Sequence, residues 1–512
     1  MQIVILGGGS AGWLTAGILA AEYQQDDNVT IHLVESPDVA PIGVGEGTWP
    51  TMRTTLSKIG LCESEFIREC SASFKQGSKF VGWSTGEKDD SYYHPFTAPK
   101  NADFCSVAAW HASGQRQNYS VSVSAQPAVG EAFLAPKQVA TPEYAGVLNY
   151  GYHLDAGKFG QLLMRHCTQN LKVKHTLDTV SAVLNCKLTE SITGLQTNSH
   201  GVIKGDLFID CSGSRGLLIG EHYKIPFVDC SHLSINDTAL AAHVPYIHPD
   251  DPIQSVTVST AQACGWTWDI GLSSRRGVGY VYSSQYCDRA AAEQTLRDYV
   301  AFTANAEIAQ TLNIRSLDIR PGYRKEFWHK NCVSVGMAAG FIEPLEASAL
   351  ALVELSANLI RDELPRSKEA MPIVAERFNN IFYYRWQRIL EFLKLHYVLS
   401  ARRDTPYWRD VTSDTSITKN LEDLLLLWRD RAPNQYDFLQ VEELFPAISY
   451  QYVLYGMGYN TRFSNTPQQC QSASLSAEYI ESISHDAAKF KNHLPSNRQL
   501  INHISKYDLT KI

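Results

Sequence analysis

The chain has 512 residues, of which 44% are hydrophobic and 19% charged, with a formal net charge of −8. This composition is typical of a globular protein with a large core, and the negative charge argues against a nucleic-acid partner, which would need a clustered basic surface. Neither a long apolar run that could span a membrane nor a secretory signal is visible, so we expect a cytoplasmic protein without a membrane partner.

Cysteine and histidine spacing predicts no metal site. The eleven cysteines are scattered singly without a C-x-x-C motif, which indicates reduced, mostly buried thiols. The sixteen histidines show no H-E-x-x-H spacing.

The first 35 residues predict a βαβ unit. The segment QIVIL predicts a buried strand, GGGSAG a turn, WLTAGILAAEY a helix and VTIHLVE a second strand. Gly7, Gly9 and Gly12 form G-x-G-x-x-G between the first strand and the helix, where glycine permits a tight turn and close approach of a pyrophosphate. The helix N-terminus favours an anion, and Glu35 ends the second strand, where it can accept ribose hydroxyls. The pattern predicts a dinucleotide site without choosing between FAD and NAD.

The middle of the chain predicts mixed structure. The glycine-rich stretch 41–50 can let the backbone approach a planar ligand. A polar, aromatic-rich stretch follows at about 84–150, in which 88–104 is predicted to be an irregular loop. Residues 157–169 predict a helix, and 205–216 predict a buried strand that ends in a glycine turn.

An antiparallel sheet and then helices are predicted after residue 250. Alternating segments at 255–260 and 277–284 flank A-C-G-W-T-W-D-I-G-L, whose period of two places Trp266 and Trp268 on one face of a strand. For an aromatic pair taken alone, core packing is the commoner explanation. Residues 350–364 predict a helix that ends before Pro365, and helical patterns dominate from 366 onward.

Six motifs occur in order and together resemble the flavin-dependent halogenases usually called tryptophan halogenases. They are G-G-G-S-A-G-W at the start, G-V-G-E-x-T-x-P, F-K-x-x-x-K-F-x-x-W at 74–83, F-I-D-C-S-G at 208–213, W-T-W-D-I-G, and E-P-L-E-A-S-A at 343–349. The later segment 396–408 also resembles that family, and the region after about 410 resembles it least.

The resemblance implies an α/β fold with a FAD-binding Rossmann-like domain of the PHBH type, an antiparallel substrate-side sheet and a mostly helical C-terminal region. Residues 1–385 are expected to form the FAD-binding core, with inserted substrate-side segments at about 80–150 and 220–320. Residues 386–512 are expected to form a helical substrate-binding region.

The implied activity is that of a two-component halogenase. Reduced FAD comes from a separate NADH-dependent flavin reductase, and with oxygen it converts chloride or bromide into hypohalous acid, which halogenates a small indole-type ring. A homodimer is one assembly consistent with the family.

Lys75 and Glu346 match the family's catalytic lysine and acid. An ammonium can hydrogen-bond hypohalous acid, or the amine can itself take the halogen. The carboxylate can orient the acid or accept the ring proton. The simpler alternatives are a solvated surface lysine, which is the expectation for Lys79, and a helix-start charge for Glu346.

Other roles follow from the same resemblance. Trp266 and Trp268 match the tryptophans that keep organic substrate from the flavin, although Gly271 replaces a proline there and loosens the backbone. Backbone N–H groups of Ser348 and Ala349 match the halide site, where the family usually has Thr-Gly. The residues expected to contact the cofactor are Gly7, Gly9, Ser10, Ala11, Gly12, Glu35, Gly45, Glu46 and Gly336.

Substrate recognition is predicted from aromatic residues. His94 and Phe96 match a His-x-Phe that stacks on indole, and Phe445 falls where tryptophan-specific members complete the stack. The Tyr-Tyr pair and the acid that grip the charged groups of free tryptophan are not found in the matching stretch 432–445.

Two alternatives stay open at this point. One is a single-component aromatic hydroxylase on the same flavin fold, although Met337 replaces the acid usual in that group. The other is a flavin-binding protein without catalysis, against which the presence of both Lys75 and Glu346 argues.

Overall fold

A computed structural model describes residues 1–39, 45–87, 89–101, 105–114, 119–413, 416–440, 442–463 and 466–511. The chain divides into two units, each built from three separated segments. The first unit consists of Met1–Ala72, Leu154–Cys230 and Arg320–Trp386, and the second of Ser73–His153, Ser231–Ile319 and Gln387–Ile512.

The strands of the described residues are numbered here in chain order. They are β1 (Gln2–Leu6), β2 (Thr30–Glu35), β3 (Gly45–Gly47), β4 (Ser73–Lys75), β5 (Gly77–Val81), β6 (Ser91–Pro95), β7 (Gly151–Asp155), β8 (Lys174–Leu177), β9 (Val180–Asn185), β10 (Ile192–Thr197), β11 (Val202–Lys204), β12 (Leu207–Asp210), β13 (Phe227–Asp229), β14 (Thr238–Pro245), β15 (Thr257–Gln262), β16 (Gly265–Gly271), β17 (Arg275–Tyr282), β18 (Ile314–Asp318), β19 (Gly322–Arg324), β20 (Trp328–His329), β21 (Cys332–Ser334) and β22 (Gly340–Phe341).

The α-helices are numbered in the same way. They are α1 (Ser10–Glu22), α2 (Thr51–Lys58), α3 (Glu63–Glu69), α4 (Ser106–Ala112), α5 (Tyr119–Val123), α6 (Gln126–Glu131), α7 (Ala156–Asn170), α8 (Arg289–Thr303), α9 (Ala306–Thr311), α10 (Ala349–Asp362), α11 (Ala370–Val398), α12 (Pro406–Val411), α13 (Lys419–Trp428), α14 (Ala447–Gly456), α15 (Pro467–Ser474), α16 (Ser476–His493) and α17 (Asn497–Tyr507).

The first unit contains the predicted βαβ motif. Its main sheet has the order β20-β21-β12-β1-β2-β8, and β1 pairs in parallel with both β2 and β12. Residues 3–5 of the central strand β1 are fully buried, as expected for a parallel strand covered on both faces. Helix α1 follows β1 after the short glycine turn, so its N-terminus lies at the carboxyl end of β1, and the helix packs on α7 and α10.

The second unit contains most of the C-terminal helices and the predicted sheet, which is antiparallel except for one parallel pair, β15 with β5. The sheet has the order β18-β14-β17-β16-β15-β5-β6. Strand β16 carries the two tryptophans, and it pairs antiparallel with both β15 and β17. The fold class predicted from the sequence is therefore confirmed, and the helices predicted at 157–169 and 350–364 correspond to α7 and α10.

The irregular loop predicted for 88–104 was wrong in part. Ser91–Pro95 forms β6, which pairs antiparallel with β5 along its whole length. The surrounding sequence is polar and does not by itself predict a strand. This strand forms because it hydrogen-bonds to the neighbouring strand β5, and such pairing cannot be recognised from the local sequence. Lys88 and residues 102–104 of that prediction lie outside the described residues.

The described ranges lack two kinds of feature. No helix in them is long and apolar enough to cross a bilayer. No cluster of three or more His, Cys, Asp or Glu side chains there is arranged to hold a metal ion.

Candidate active site

The glycine turn after β1 has the geometry of a phosphate cradle. Gly7 has φ +114°, and a Cβ there would lie 2.2 Å from the carbonyl oxygen of Cys211. A Cβ on Gly12 would lie 1.9 Å from the carbonyl oxygen of Gly7, whereas a Cβ on Gly9 would have no heavy atom within 4 Å. The turn is therefore closed against the sheet and open on the side of Gly9, at the N-terminus of α1, where N–H groups favour an anion.

Glu35 lies beside the same turn. A Cβ on Gly8 would approach its Oε2 to 1.4 Å, so the carboxylate lies directly against the glycine backbone. Its Oε1 is 2.8 Å from Nε2 of His175 on the adjacent strand β8. The carboxylate is held at the end of β2, where the ribose of a dinucleotide binds in folds of this type. These residues fit FAD.

Five further residues predicted to contact the cofactor lie in the first unit. Gly336 has φ +67°, and a Cβ on it would lie 2.9 Å from the Cβ of Ala11, so this position needs glycine for close packing against α1. The Ser10 hydroxyl donates to the carbonyl of Ala156 at 3.1 Å. Gly45 and Glu46 are half-buried in β3, while residues 40–44 lie outside the described part of the chain.

Glu346 lies in a tight turn ahead of α10. The N–H of Ala347 donates to the carbonyl of Pro344 at 3.1 Å, and the Glu346 side chain is only 4% exposed. Ala347 has φ +53°, a left-handed conformation that costs a residue with a Cβ about 1–2 kcal/mol. The Glu346 carbonyl accepts a hydrogen bond from the indole Nε1 of Trp49 at 2.8 Å.

The predicted halide residues begin the helix that follows this turn. Ser348 is the N-cap of α10 and Ala349 its first residue, and the Ser348 side chain does not cap the helix. N–H groups in the first turn of a helix have no partner inside the helix, and the dipole favours an anion there. This position suits halide electrostatically.

Glu354 is a buried acid one turn further along α10. Its side chain is 2% exposed and accepts hydrogen bonds from the hydroxyls of Thr51, at 3.1 Å, and Thr55, both on α2. Burial raises the pKa of Glu354 to about 7, against an ordinary value of 4.5, and the two threonine hydrogen bonds lower it in part. The carboxyl group therefore joins α2 to α10 and is partly protonated near neutral pH.

We expect Glu354→Gln to make stability less dependent on pH. Because the folded-state pKa is raised, the wild-type protein is stabilised below about pH 4.5 and loses that contribution as the pH rises toward 7, by about 3 kcal/mol in all. Glutamine keeps one donor and one acceptor for Thr51 and Thr55 and does not ionise. Between pH 5 and 8, the melting temperature of the variant should rise relative to that of the wild type as the pH increases. A constant difference between the two melting temperatures would contradict the prediction.

Lys75 is a fully enclosed lysine in the second unit. It ends β4, opposite Gly151 of β7, and is 1% exposed. Its Nζ lies 5.3 Å from the ring centroid of Phe96. Burial and the positive charge of Lys75 hold the pKa of His153, also on β7, well below its ordinary value, so that imidazole is neutral. The Nε2 of His153 is 2.9 Å from the Thr257 hydroxyl.

Amide groups hold Phe96 in place. Asn149 Nδ2 donates to its carbonyl at 3.0 Å, and the Phe96 N–H donates to the carbonyl of Gln76 at 3.2 Å. Gln126 in turn donates to the carbonyl of Asn149 at 2.6 Å. The ring itself is half-buried, so a fixed backbone presents an aromatic surface beside Lys75.

His94 and Phe445, the other predicted substrate residues, meet through a third ring. Phe445 is 3% exposed and stacks on Phe392 at 3.8 Å between centroids, and His94 lies 5.7 Å from the same Phe392 ring. His94 Nε2 is 2.9 Å from the Ser449 hydroxyl on α14. The structure thus brings His94 and Phe445 into one aromatic cluster.

Trp266 and Trp268 lie on one face of β16, as predicted, with ring centroids 6.4 Å apart. Trp266 is 1% exposed and packs 6.3 Å from Trp83, whose ring lies 5.7 Å from that of Trp408. Trp268 is half-buried and covers Gly279, where a Cβ would lie 2.0 Å from its ring. Trp266 therefore also belongs to the aromatic core of the second unit.

Sequence reasoning missed three residues around these sites. Trp49 lies within the glycine-rich stretch 41–50, so its place in G-E-G-T-W-P was an available signal. His153 and Glu354 carried none, because their partners come from distant segments of the chain.

Comparisons with known proteins all match this chain to halogenases over nearly its whole length. The family model described as tryptophan halogenase matches residues 2–472. The tryptophan 6-halogenase ThaL of Streptomyces albogriseolus is 32% identical over 449 residues, covering 84% of this chain and 82% of that protein. A crystal structure of tryptophan halogenase from Shewanella frigidimarina NCIMB 400 is 45% identical with a TM-score of 0.95, covering 100% of this chain and 99% of the other. The structure of Tar14, a tryptophan C-6 flavin-dependent halogenase, is 30% identical with a TM-score of 0.91, covering 98% and 99%.

Proposed function

This chain belongs to the tryptophan halogenase family and is a flavin-dependent halogenase, and from that premise we propose that Lys75 and Glu346 halogenate an indole-type ring. The observation that carries the proposal is the setting of Lys75. A lysine that is 1% exposed lies 5.3 Å from a half-buried phenylalanine ring, Phe96, where a flat aromatic substrate could also stack. A solvated surface lysine has no such surroundings.

The cofactor residues would hold FAD through the cradle formed by Gly7, Gly9 and Gly12, with Glu35 at the ribose. When bound, reduced FAD supplies the oxidising chemistry that, with O2, converts halide into hypohalous acid. We propose that a separate NADH-dependent reductase provides the reduced form. The first-turn N–H groups at Ser348 and Ala349 would bind the halide ion.

The roles of Lys75 and Glu346 follow from proton and halogen balance. Lys75 either donates a hydrogen bond to hypohalous acid or takes the halogen on Nζ with release of water. The ring carbon then gains the halogen and loses a proton, which the Glu346 carboxylate accepts as aromaticity returns. Trp266 and Trp268 would keep the organic substrate from the flavin, so that oxygen is not inserted directly.

The relatives described above are halogenases, and they do not favour a single-component hydroxylase or a non-catalytic flavin protein. The test is a mass-spectrometric screen of indoles with bromide or chloride, using the purified protein, FAD, NADH and an added flavin reductase. We expect halide-dependent products that require the reductase. Hydroxylated products, or rapid NADH oxidation by the protein alone, would contradict the proposal.

We predict that indole and larger indole derivatives are accepted and that free tryptophan is a poor substrate. His94, Phe96 and Phe445 can hold a flat ring by stacking and burial. The charged groups of tryptophan need partners, because burying them unpaired is costly. In the stretch before Phe445, the buried acid Asp437 is already paired with Arg431 and accepts from the indole N–H of Trp428 at 3.0 Å.

Competition between equal concentrations of indole and tryptophan measures this preference. We expect at least about tenfold more halogenated indole, which corresponds to roughly 1.4 kcal/mol. If no residue binds the ammonium and carboxylate groups of an amino-acid substrate, halogen should enter the indole ring at its most electron-rich position, C3. A preference for tryptophan, with halogen at one benzo-ring carbon, would contradict the prediction.

A further inference from the structure

A hydrogen bond from Trp49 holds the backbone of the proposed catalytic acid. The indole Nε1 donates to the carbonyl oxygen of Glu346 at 2.8 Å. The acid side chain is 4% exposed, and the indole is half-buried. The bond joins the end of the glycine-rich stretch 41–50 to the turn that carries the carboxylate, 297 residues later in the chain.

The peptide that accepts this bond is followed by a strained residue. Ala347 has φ +53°, which an alanine adopts at a cost because of its Cβ. Rotating the peptide plane between Glu346 and Ala347 would change ψ of the first and φ of the second together. Such a rotation can relieve the strain at Ala347, but it would break two hydrogen bonds: the one from Trp49 to the Glu346 carbonyl and the one from the Ala347 N–H to the Pro344 carbonyl.

The donor is itself fixed from two directions. The Trp49 carbonyl accepts the N–H of Met52 at 3.1 Å, which ties the residue to the start of α2. Helix α2 is joined to α10 by the hydroxyls of Thr51 and Thr55, which both donate to the buried carboxyl group of Glu354. The Trp49 backbone is therefore tied to the start of α2, which is joined in turn to α10, the helix that follows the turn.

We propose that Trp49 is a positioning residue for Glu346. Its indole N–H holds the Glu346–Ala347 peptide in the orientation that fixes the direction of the Glu346 carboxylate and of the first turn of α10. This inference rests on the proposed role of Glu346 in proton transfer. It assigns to the strained alanine a definite counterpart: the Trp49 hydrogen bond, which acts together with the bond from the Ala347 N–H to the Pro344 carbonyl to keep the turn from relaxing.

The test begins with Trp49→Phe, which removes the N–H and keeps an aromatic ring. We expect kcat for indole halogenation to fall by about tenfold, the scale of one hydrogen bond, while KM stays within about twofold. The second variant combines Trp49→Phe with Ala347→Gly and is compared with Ala347→Gly alone. In that background Trp49→Phe should lower kcat by much less than tenfold, because glycine adopts φ +53° without penalty. A general loss of folding at position 49 would not be repaired by a glycine at 347.

Two further measurements complete the test. In the Glu346→Gln background, Trp49→Phe should cause no additional loss of kcat, since it acts through the acid. A crystal structure of Trp49→Phe should show the Glu346 carbonyl rotated. Unchanged kcat in Trp49→Phe, or no recovery with Ala347→Gly, would overturn the inference while Glu346→Gln still slowed the enzyme. If Glu346→Gln itself left turnover unchanged, the proposed function of the acid and this inference would both fail.

Discussion

Lys75→Ala is expected to abolish halogenated product while leaving oxidation of the reduced flavin intact. The side chain is enclosed beside the rings of Phe96 and His153, so alanine removes the only nitrogen that the proposal assigns to handling hypohalous acid. We expect product to fall at least roughly 100-fold, the lower range for loss of a catalytic proton donor or acceptor. Mass spectrometry measures the product, and NADH consumption with an added reductase measures the flavin cycle.

Lys79→Ala is the matched control, because Lys79 stands four residues further along the same motif, in β5. Its ammonium pairs with the exposed carboxylate of Glu131 and lies 5.4 Å over the ring of Tyr93. The same substitution there should leave product within about twofold of the wild type, since partly exposed ion pairs contribute little. Normal product from Lys75→Ala, or equal losses in the two variants, would remove Lys75 from the mechanism.

Glu346→Gln is expected to lower kcat by roughly 100-fold to 1000-fold with little change in KM for indole. The amide is close in size to the carboxylate, so it fits the same buried position, but it cannot accept the proton that the ring loses. Steady-state halogenation of indole at several concentrations separates the two constants.

Thermal unfolding of the same variant distinguishes catalysis from a structural charge. If Glu346 served only as a negative charge ahead of α10, its loss would cost about 0.3–1 kcal/mol of stability and nothing in turnover. We expect the reverse, a melting temperature within about 2 °C of the wild type and a strongly reduced kcat. Unchanged turnover with a lowered melting temperature would assign Glu346 to the helix start.

Hydrophobic periodicity and turn residues in the sequence predicted those helices and strands that can be recognised from a few neighbouring residues. The βαβ unit of 2–35, the strand that carries Trp266 and Trp268, and helices α7 and α10 all appear where hydrophobic periodicity and turn residues placed them. Periodicity works there because each element buries one face, or both, along its whole length.

Periodicity did not predict which strands, distant in the chain, pair with each other. Strand β6 lies in a polar stretch and forms because β5 supplies its hydrogen bonds. Strand β15 pairs antiparallel with β16 and in parallel with β5, although the alternating pattern suggested only an antiparallel sheet. Neither neighbour can be identified from the alternation of side chains, because that alternation reports which face is buried and not which strand lies alongside.

The sequence by itself indicated which residues we propose to carry the chemistry, because motifs such as E-P-L-E-A-S-A and S-F-K resemble those of one enzyme family over a short local order. Only the tertiary structure decided what surrounds them. It enclosed Lys75 with Phe96 and a neutral His153, placed the indole of Trp49 on the carbonyl of Glu346, and buried Glu354 between two helices. The physical reason is that burial and hydrogen bonding depend on chain segments up to 297 residues apart, whose approach no local pattern encodes.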